Sequence, residues 1–196
     1  MFENVLSEDD VHSKIGPYYD DFWLAVVESF KAFNKVKNEY ENLQIRTRCD
    51  LIRAKVLASF KRKFKANGDV KIFDFEDQDI FIIKIGDEIL LRFKKLDESG
   101  KRANFNKTNA SNSYIDQEEF TDFLPKLNQL ILGWIPNATW TECADINICH
   151  PKENWAVKVP RPKTMRLAPS RSQNAQTDSY KNLPKLKIKT KLKKVE

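Results

Sequence analysis

The chain has 196 residues, 41% of them hydrophobic and 13 of them Phe, with a formal net charge of +6. That length and apolar content suit one ordinary domain with its own core and exclude a wholly disordered chain. No run of 18 apolar residues exists, and MFENVLSEDDVHSK lacks the basic and apolar regions of a secretory signal, so neither a membrane span nor export is expected.

The net charge hides a segregation. Residues 46–65 carry eight Lys/Arg against the single acid Asp50, and residues 157–196 carry twelve against Asp178 and Glu196. The rest of the chain is therefore acidic overall. Such separation favours contact with a polyanion, or contact between the basic pieces and an acidic surface. A solvated helix face with a solubilising tail has the same composition. Three cysteines without regular spacing, Cys49, Cys143 and Cys149, point to a reducing, cytoplasmic setting.

Taken in chain order, residues 1–16 read as a flexible acidic N-terminus. A single α+β domain is predicted over 17–159, and a basic extended or disordered tail over 160–196. Pro17 opens a helix whose apolar stripe is Phe22, Trp23, Val26, Val27, Phe30 and Phe33. A second helix carries Ile45, Cys49, Ile52, Val56, Phe60 and Phe64 on one stripe, with Arg46, Arg53, Lys55, Arg62 and Lys63 elsewhere. Asn67-Gly68 is expected to end it as a left-handed cap.

Three strands follow, Lys71–Phe75, Ile80–Ile85 and Glu88–Leu96, the last two joined by a turn at Gly86-Asp87. Alternation places Arg92 and Lys94 on one face of the third strand, and Lys95 on the other with Phe93. Asp97–Ser113 reads as an exposed loop. Asp116, with Glu119 at the capping-box position, is expected to start a third helix with Phe120, Phe123, Leu124, Leu127, Leu130 and Ile131 as its core stripe. Two more strands, Thr139–Cys149 and Trp155–Val159, complete a mainly antiparallel sheet of about five strands. In the tail, Leu186, Ile188 and Leu192 alternate with lysines, a pattern that suits either disorder or docking on a partner.

The order α-β-β-β-α-β over residues 44–149 resembles the core of the restriction-endonuclease-like nucleases. That resemblance implies Asp77 or Asp79 as a metal-binding acid, and an acid-X-Lys triplet on the next strand. Arg92 stands where the triplet needs its carboxylate, and an arginine there repels Mg²⁺. The alternative of a divergent nuclease, or an inactive DNA-binding relative, therefore rests on Asp77, Asp79 and Glu88. Cys143, Cys149 and His150 lack a familiar zinc-ligand spacing and read as buried strand residues. No glycine-rich phosphate loop is present, since Gly16, Gly68, Gly86, Gly100 and Gly133 are isolated. No catalytic residue, metal or cofactor is assigned.

The favoured candidates are cationic. Arg92, Lys94, Lys95, Lys101 and Arg102, with Arg46, Arg53 and Arg62 on the second helix, can form a surface that binds phosphate or an acidic partner. Phe93 and Phe105 could stack bases if exposed, or serve as core.

The segment LLRFKKLDESGKRANF, residues 90–105, resembles the most recognisable run of a group of bacterial and prophage proteins, I/L-R-F-K-K-x-D-E-x-G after two strands. Here the matching positions are Leu91, Arg92, Phe93, Lys94, Lys95, Asp97, Glu98 and Gly100, with Trp155 in the last hairpin. The resemblance implies a place beside a regulator or antitoxin-like protein, in a two-gene toxin–antitoxin or phage-defence module. It supplies no catalytic residues. A small cytosolic protein that binds a partner protein, nucleic acid or both is the function expected, without a membrane partner.

Overall fold

In a computed structural model of the chain, the described residues are 6–37, 39, 43–76, 80–105, 108–118, 127–153 and 155–165. Their fold is α+β, with helices preceding a six-stranded, mostly antiparallel sheet. The strands are β1 Val70–Phe75, β2 Ile80–Ile85, β3 Ile89–Lys95, β4 Asn128–Pro136, β5 Cys143–Cys149 and β6 Ala156–Lys158, lying in sequence order. Every pairing is antiparallel except β3 with β4. Among the described residues no helix is long and apolar enough to cross a membrane.

Helices α2, Tyr19–Lys37, and α3, Ile45–Lys63, pack on one face of the sheet. Phe22, Trp23, Val26, Phe30 and Phe33 of α2 are buried, as are Ile52, Val56 and Phe60 of α3. They meet Ile83, Leu91, Phe93, Leu132 and Trp134 of the sheet in one core. Each large side chain so buried contributes about 1.5–3 kcal/mol. The opposite face is covered by a shorter helix, α4, Asn109–Ile115, whose Tyr114 packs with Ile82 and Leu90.

Four expectations need correction. The N-terminus is not flexible throughout: Glu8–Ile15 forms helix α1, started by a capping box between Ser7 and Asp10. Val11 and Ile15 of α1 are buried in the main core, which ties it down.

The start of the tail is also held. Arg161 donates to the carbonyls of Cys143 and Ala144 and lies over the Trp23 ring, while the Trp23 indole donates to the Val159 carbonyl at 3.1 Å. The rest of the predicted tail lies outside the described residues.

The helix expected from Asp116 fails at both described ends: Asp116 is the C-cap of the preceding helix, and the last residues of the stripe are in a strand. Leu130 and Ile131 belong to β4, and Phe120, Phe123 and Leu124 lie outside the described residues. A central strand covered on both faces is apolar at nearly every position, so its sequence mimics a helical stripe. Part of the predicted loop is helical instead: Thr108 caps α4 by accepting from the Ser111 N–H.

Finally, no left-handed glycine ends α3. The Asn67 side-chain Oδ1 accepts from the backbone N–H groups of Asp69 and Val70, turning the chain into β1.

Candidate anion-binding cleft

The sheet forks between β2 and β3. The β2–β3 ladder runs from Ile85–Ile89 only to Ile82–Arg92. Beyond it, β2 stays with β1 as far as the Phe75–Ile80 pair, and β3 stays with β4 as far as Lys95–Trp134. The first half of α3 lies alongside, and a cleft of about 520 Å³ opens there. Because the strands part, side chains from both faces of the sheet reach it. Arg92 and Lys94 come from the α4 face, and Phe93 and Lys95 from the helix face.

Five cationic side chains line this one cleft: Arg46 and Arg53 from α3, and Arg92, Lys94 and Lys95 from β3. Its floor is aromatic. Phe81, Phe93 and Trp134 stack across three neighbouring strands, with ring centroids 5.6 Å and 6.1 Å apart. Asp50 and Asp97 add two carboxylates, and the exposed Ile45 stands among the lining residues.

Arg92 is the most unusual of the cations. It is 4% exposed, and its Nη1 has no hydrogen-bond partner among the described residues. Its guanidinium lies 5.0 Å from the Phe105 centroid and 5.6 Å from that of Tyr114. Cation–π contact returns part of the desolvation cost of a buried charge but satisfies no N–H donor. Lys94 donates to the Asn104 carbonyl at 3.2 Å and also lies over Phe105. The Lys95 ammonium sits 5.8 Å from the Trp140 centroid, with Arg48 on the same ring.

The electrostatics follow from burial beside like charge. Burial lowers the Lys94 pKa to about 8, helped by Arg92 and Arg53 and opposed by Cys49. Burial also lowers that of Arg92, though a guanidinium keeps its proton at any physiological pH. Helix α3 adds a further positive contribution. Its first turn contains no acid, and Gln44 makes no side-chain cap, so Arg46 stands at the positive end of the helix dipole. A bound anion would relieve every one of these repulsions.

The other groups here are quieter. The Ser99 hydroxyl, with backbone N–H groups of the same turn, holds the Asp97 carboxyl below its usual range. Burial pushes the Cys49 thiol up, which leaves it a thiol rather than a nucleophilic thiolate at neutral pH.

Of the eight predicted cations, the fold thus gathers Arg92, Lys94, Lys95, Arg46 and Arg53. Lys101 and Arg102 are exposed on the turn after β3 and do not line the cleft. Arg62 is at the far end of α3, paired with Glu28 at 3.0 Å. Phe93, a base-stacking candidate if exposed, is buried in the floor at 5% exposure. Sequence reasoning missed Asp50, Asn104, Phe81 and Trp134 as parts of a site. Asp50 was legible as the lone acid of a basic helix; Phe81 and Trp134 carried no signal, since they read as core.

Of the nuclease acids, Asp77 and Asp79 lie outside the described residues. Glu88 is at the hairpin end of β3, away from the cleft, and forms an ion pair with Lys14 of α1. Cys143 and Cys149 donate to the carbonyls of Asp145 and Gly100, and His150 Nδ1 accepts from the N–H groups of Lys152 and Glu153. These three therefore have structural work of their own.

No family model, no curated protein and no solved structure matches the chain.

Proposed function

We propose that the protein acts by binding, holding a phosphate-bearing anion in the cleft between α3 and the β2–β3 fork. The observation that carries this reading is the buried Arg92 guanidinium, whose Nη1 lacks a partner among the described residues while four other cations line the same cleft. Stability alone gives no reason to gather them. The ion pairs of the described residues lie elsewhere for Arg92, Lys94, Lys95 and Arg46. An arginine fork matches phosphate oxygens in pairs, and a desolvated cleft strengthens that contact.

The setting suggested by residues 90–105 is a two-gene toxin–antitoxin or phage-defence module. The anion then belongs to a nucleic acid or to the partner protein. A neighbouring gene encoding a regulator or antitoxin-like protein is expected, and its absence would remove that setting while leaving the cleft.

The test is calorimetric titration of the full chain with pyrophosphate at low salt. Binding that weakens with added salt, and that is lost when Arg92 and Lys94 are both changed to Met, supports the reading. A folded wild-type protein that takes up neither pyrophosphate nor a nucleotide overturns it.

A second reading, a divergent nuclease or an inactive DNA-binding relative, is favoured by one observation. The element order α3-β1-β2-β3-α4-β4, with β3 parallel to β4, brings Asp50 and Lys94 into one cleft. Element order is analogy at the level of fold. A Mg²⁺-dependent nicking activity abolished by Asp50→Asn would support it, and nicking unchanged by that substitution would remove Asp50 from the chemistry.

A further inference from the structure

We infer that the cleft takes a terminal phosphate monoester carried by a nucleoside: a free nucleotide, or the 5′-phosphorylated end of a strand. This deepens the anion-binding reading and rests on it. Depth is the first argument. Arg92 is 4% exposed and Lys94 is half-buried, both behind the parted ends of β2 and β3. An internal phosphodiester is flanked on both sides by sugars and cannot be pushed into such a recess. A terminal phosphate can, and at neutral pH it carries up to two negative charges against one for a diester.

The composition of the wall is the second argument. A site for inorganic phosphate alone needs donors on every side. Here the cations share the cleft with Ile45, 62% exposed, and the half-buried Ile80, above a closed floor of Phe81, Phe93 and Trp134; an inorganic anion would leave the two isoleucines against water. A ligand with a flat apolar body attached to its phosphate uses both halves. Purine and pyrimidine rings have that body, and arginine side chains stack on it without regard to base identity.

The carboxylates are the third. Asp50 and Asp97 stand among the cations and would repel a bare phosphate cluster. A nucleoside brings ribose hydroxyls and, in most bases, an exocyclic amine, all of which donate to such acceptors. Cations at the recess, the apolar rim of Ile45 and Ile80, and carboxylate acceptors in one cleft match the three parts of a nucleoside phosphate.

The test follows the intrinsic fluorescence of the full chain, since Trp134 lines the cleft and Trp140 stands in edge contact with it. The probes are AMP, adenosine, pyrophosphate, and one short single-stranded oligonucleotide prepared with a 5′-phosphate or a 5′-hydroxyl. AMP or the 5′-phosphorylated strand is expected to bind at least tenfold tighter than its dephosphorylated counterpart. The stronger of the two identifies the source of the monoester.

Arg92→Lys keeps the charge and loses the fork, and is expected to weaken that binding tenfold or more. Lys95→Gln provides a second variant at the mouth if Arg92→Lys does not fold. Arg62→Ala, outside the cleft, is expected to leave binding unchanged. Pyrophosphate binding without any nucleotide or strand-end binding overturns this inference and leaves the anion reading standing. Failure of every probe overturns both. Equal binding of the 5′-phosphate and 5′-hydroxyl strands, with no AMP binding, overturns the terminal-phosphate argument in favour of internal phosphodiester contact.

Discussion

Replacing Arg92 with Met is expected to stabilise the empty protein while weakening anion binding. The side chain is 4% exposed, and its Nη1 has no partner among the described residues. Leaving a buried donor unsatisfied costs about 1–3 kcal/mol. The rings of Phe105 and Tyr114, 5.0 Å and 5.6 Å from the guanidinium carbon, return part of that cost. Cation–π contacts contribute about 0.5–2 kcal/mol. Methionine retains the apolar stem and its contact with both rings, removes the charge and leaves no donor behind. The net is a gain of about 1 kcal/mol, which raises the melting temperature by about 2–4 °C for a domain of this size. Anion affinity moves the other way. Losing a charge-assisted contact worth about 1.5–3 kcal/mol weakens binding about tenfold to hundredfold. Thermal melts and pyrophosphate titrations on the same preparations measure both effects. A melting temperature that falls by several degrees would show that Arg92 is a structural strut, and the argument from its unsatisfied donor would fail.

Three further predictions concern separate parts of the fold. Lys94 has a pKa of about 8 in the folded chain against an ordinary 10.5, so between these values the unfolded state holds a proton that the folded state has released. Stability of the empty protein therefore rises with pH across that window, and the penalty is fully present below it. Anion affinity has the opposite slope, falling above pH 8 as the ammonium is lost; titrations flat from pH 7 to 9.5 would exclude Lys94 from the site. Gly133→Ala places a Cβ against the Leu96 side chain and should cost about 1–3 kcal/mol in urea unfolding, with Leu96→Ala restoring part of it. Tyr114→Phe removes the hydroxyl that donates to the carbonyls of Leu90 and Leu130, across the one parallel strand pair, and should cost about 1–2 kcal/mol. An unchanged midpoint would show that the hydroxyl does not latch β3 to β4.

Much of the fold was legible because local periodicity and burial agree. The stripe of α2 and the Ile52, Val56 and Phe60 part of the α3 stripe read correctly as apolar faces, while Ile45 of that stripe is exposed; turn chemistry at Gly86 marked the hairpin. Legibility failed where tertiary burial erased the period. Leu130–Ile135 is covered by α2 and α3 on one side and by a second layer on the other, so nothing in its sequence separates a buried strand from a helix. It failed again at α1, whose acidic surface hid the two residues, Val11 and Ile15, that anchor it.

The site divides along the same line. From the chain alone, cations cluster along residues 46–65 and at Arg92–Lys95, and Arg92 stands where the nuclease resemblance would require a carboxylate. Alternation also places Arg92 and Lys94 on the face opposite Lys95, and nothing local says how the two faces could serve one surface. Only the tertiary structure brings them together. The β2–β3 ladder stops at Ile82–Arg92, the strands part, and both faces open into one cleft beside α3. Face alternation is a local property of a strand and follows from two-residue periodicity. Where a ladder ends depends on which neighbour each strand keeps, and that is set by packing against the rest of the chain.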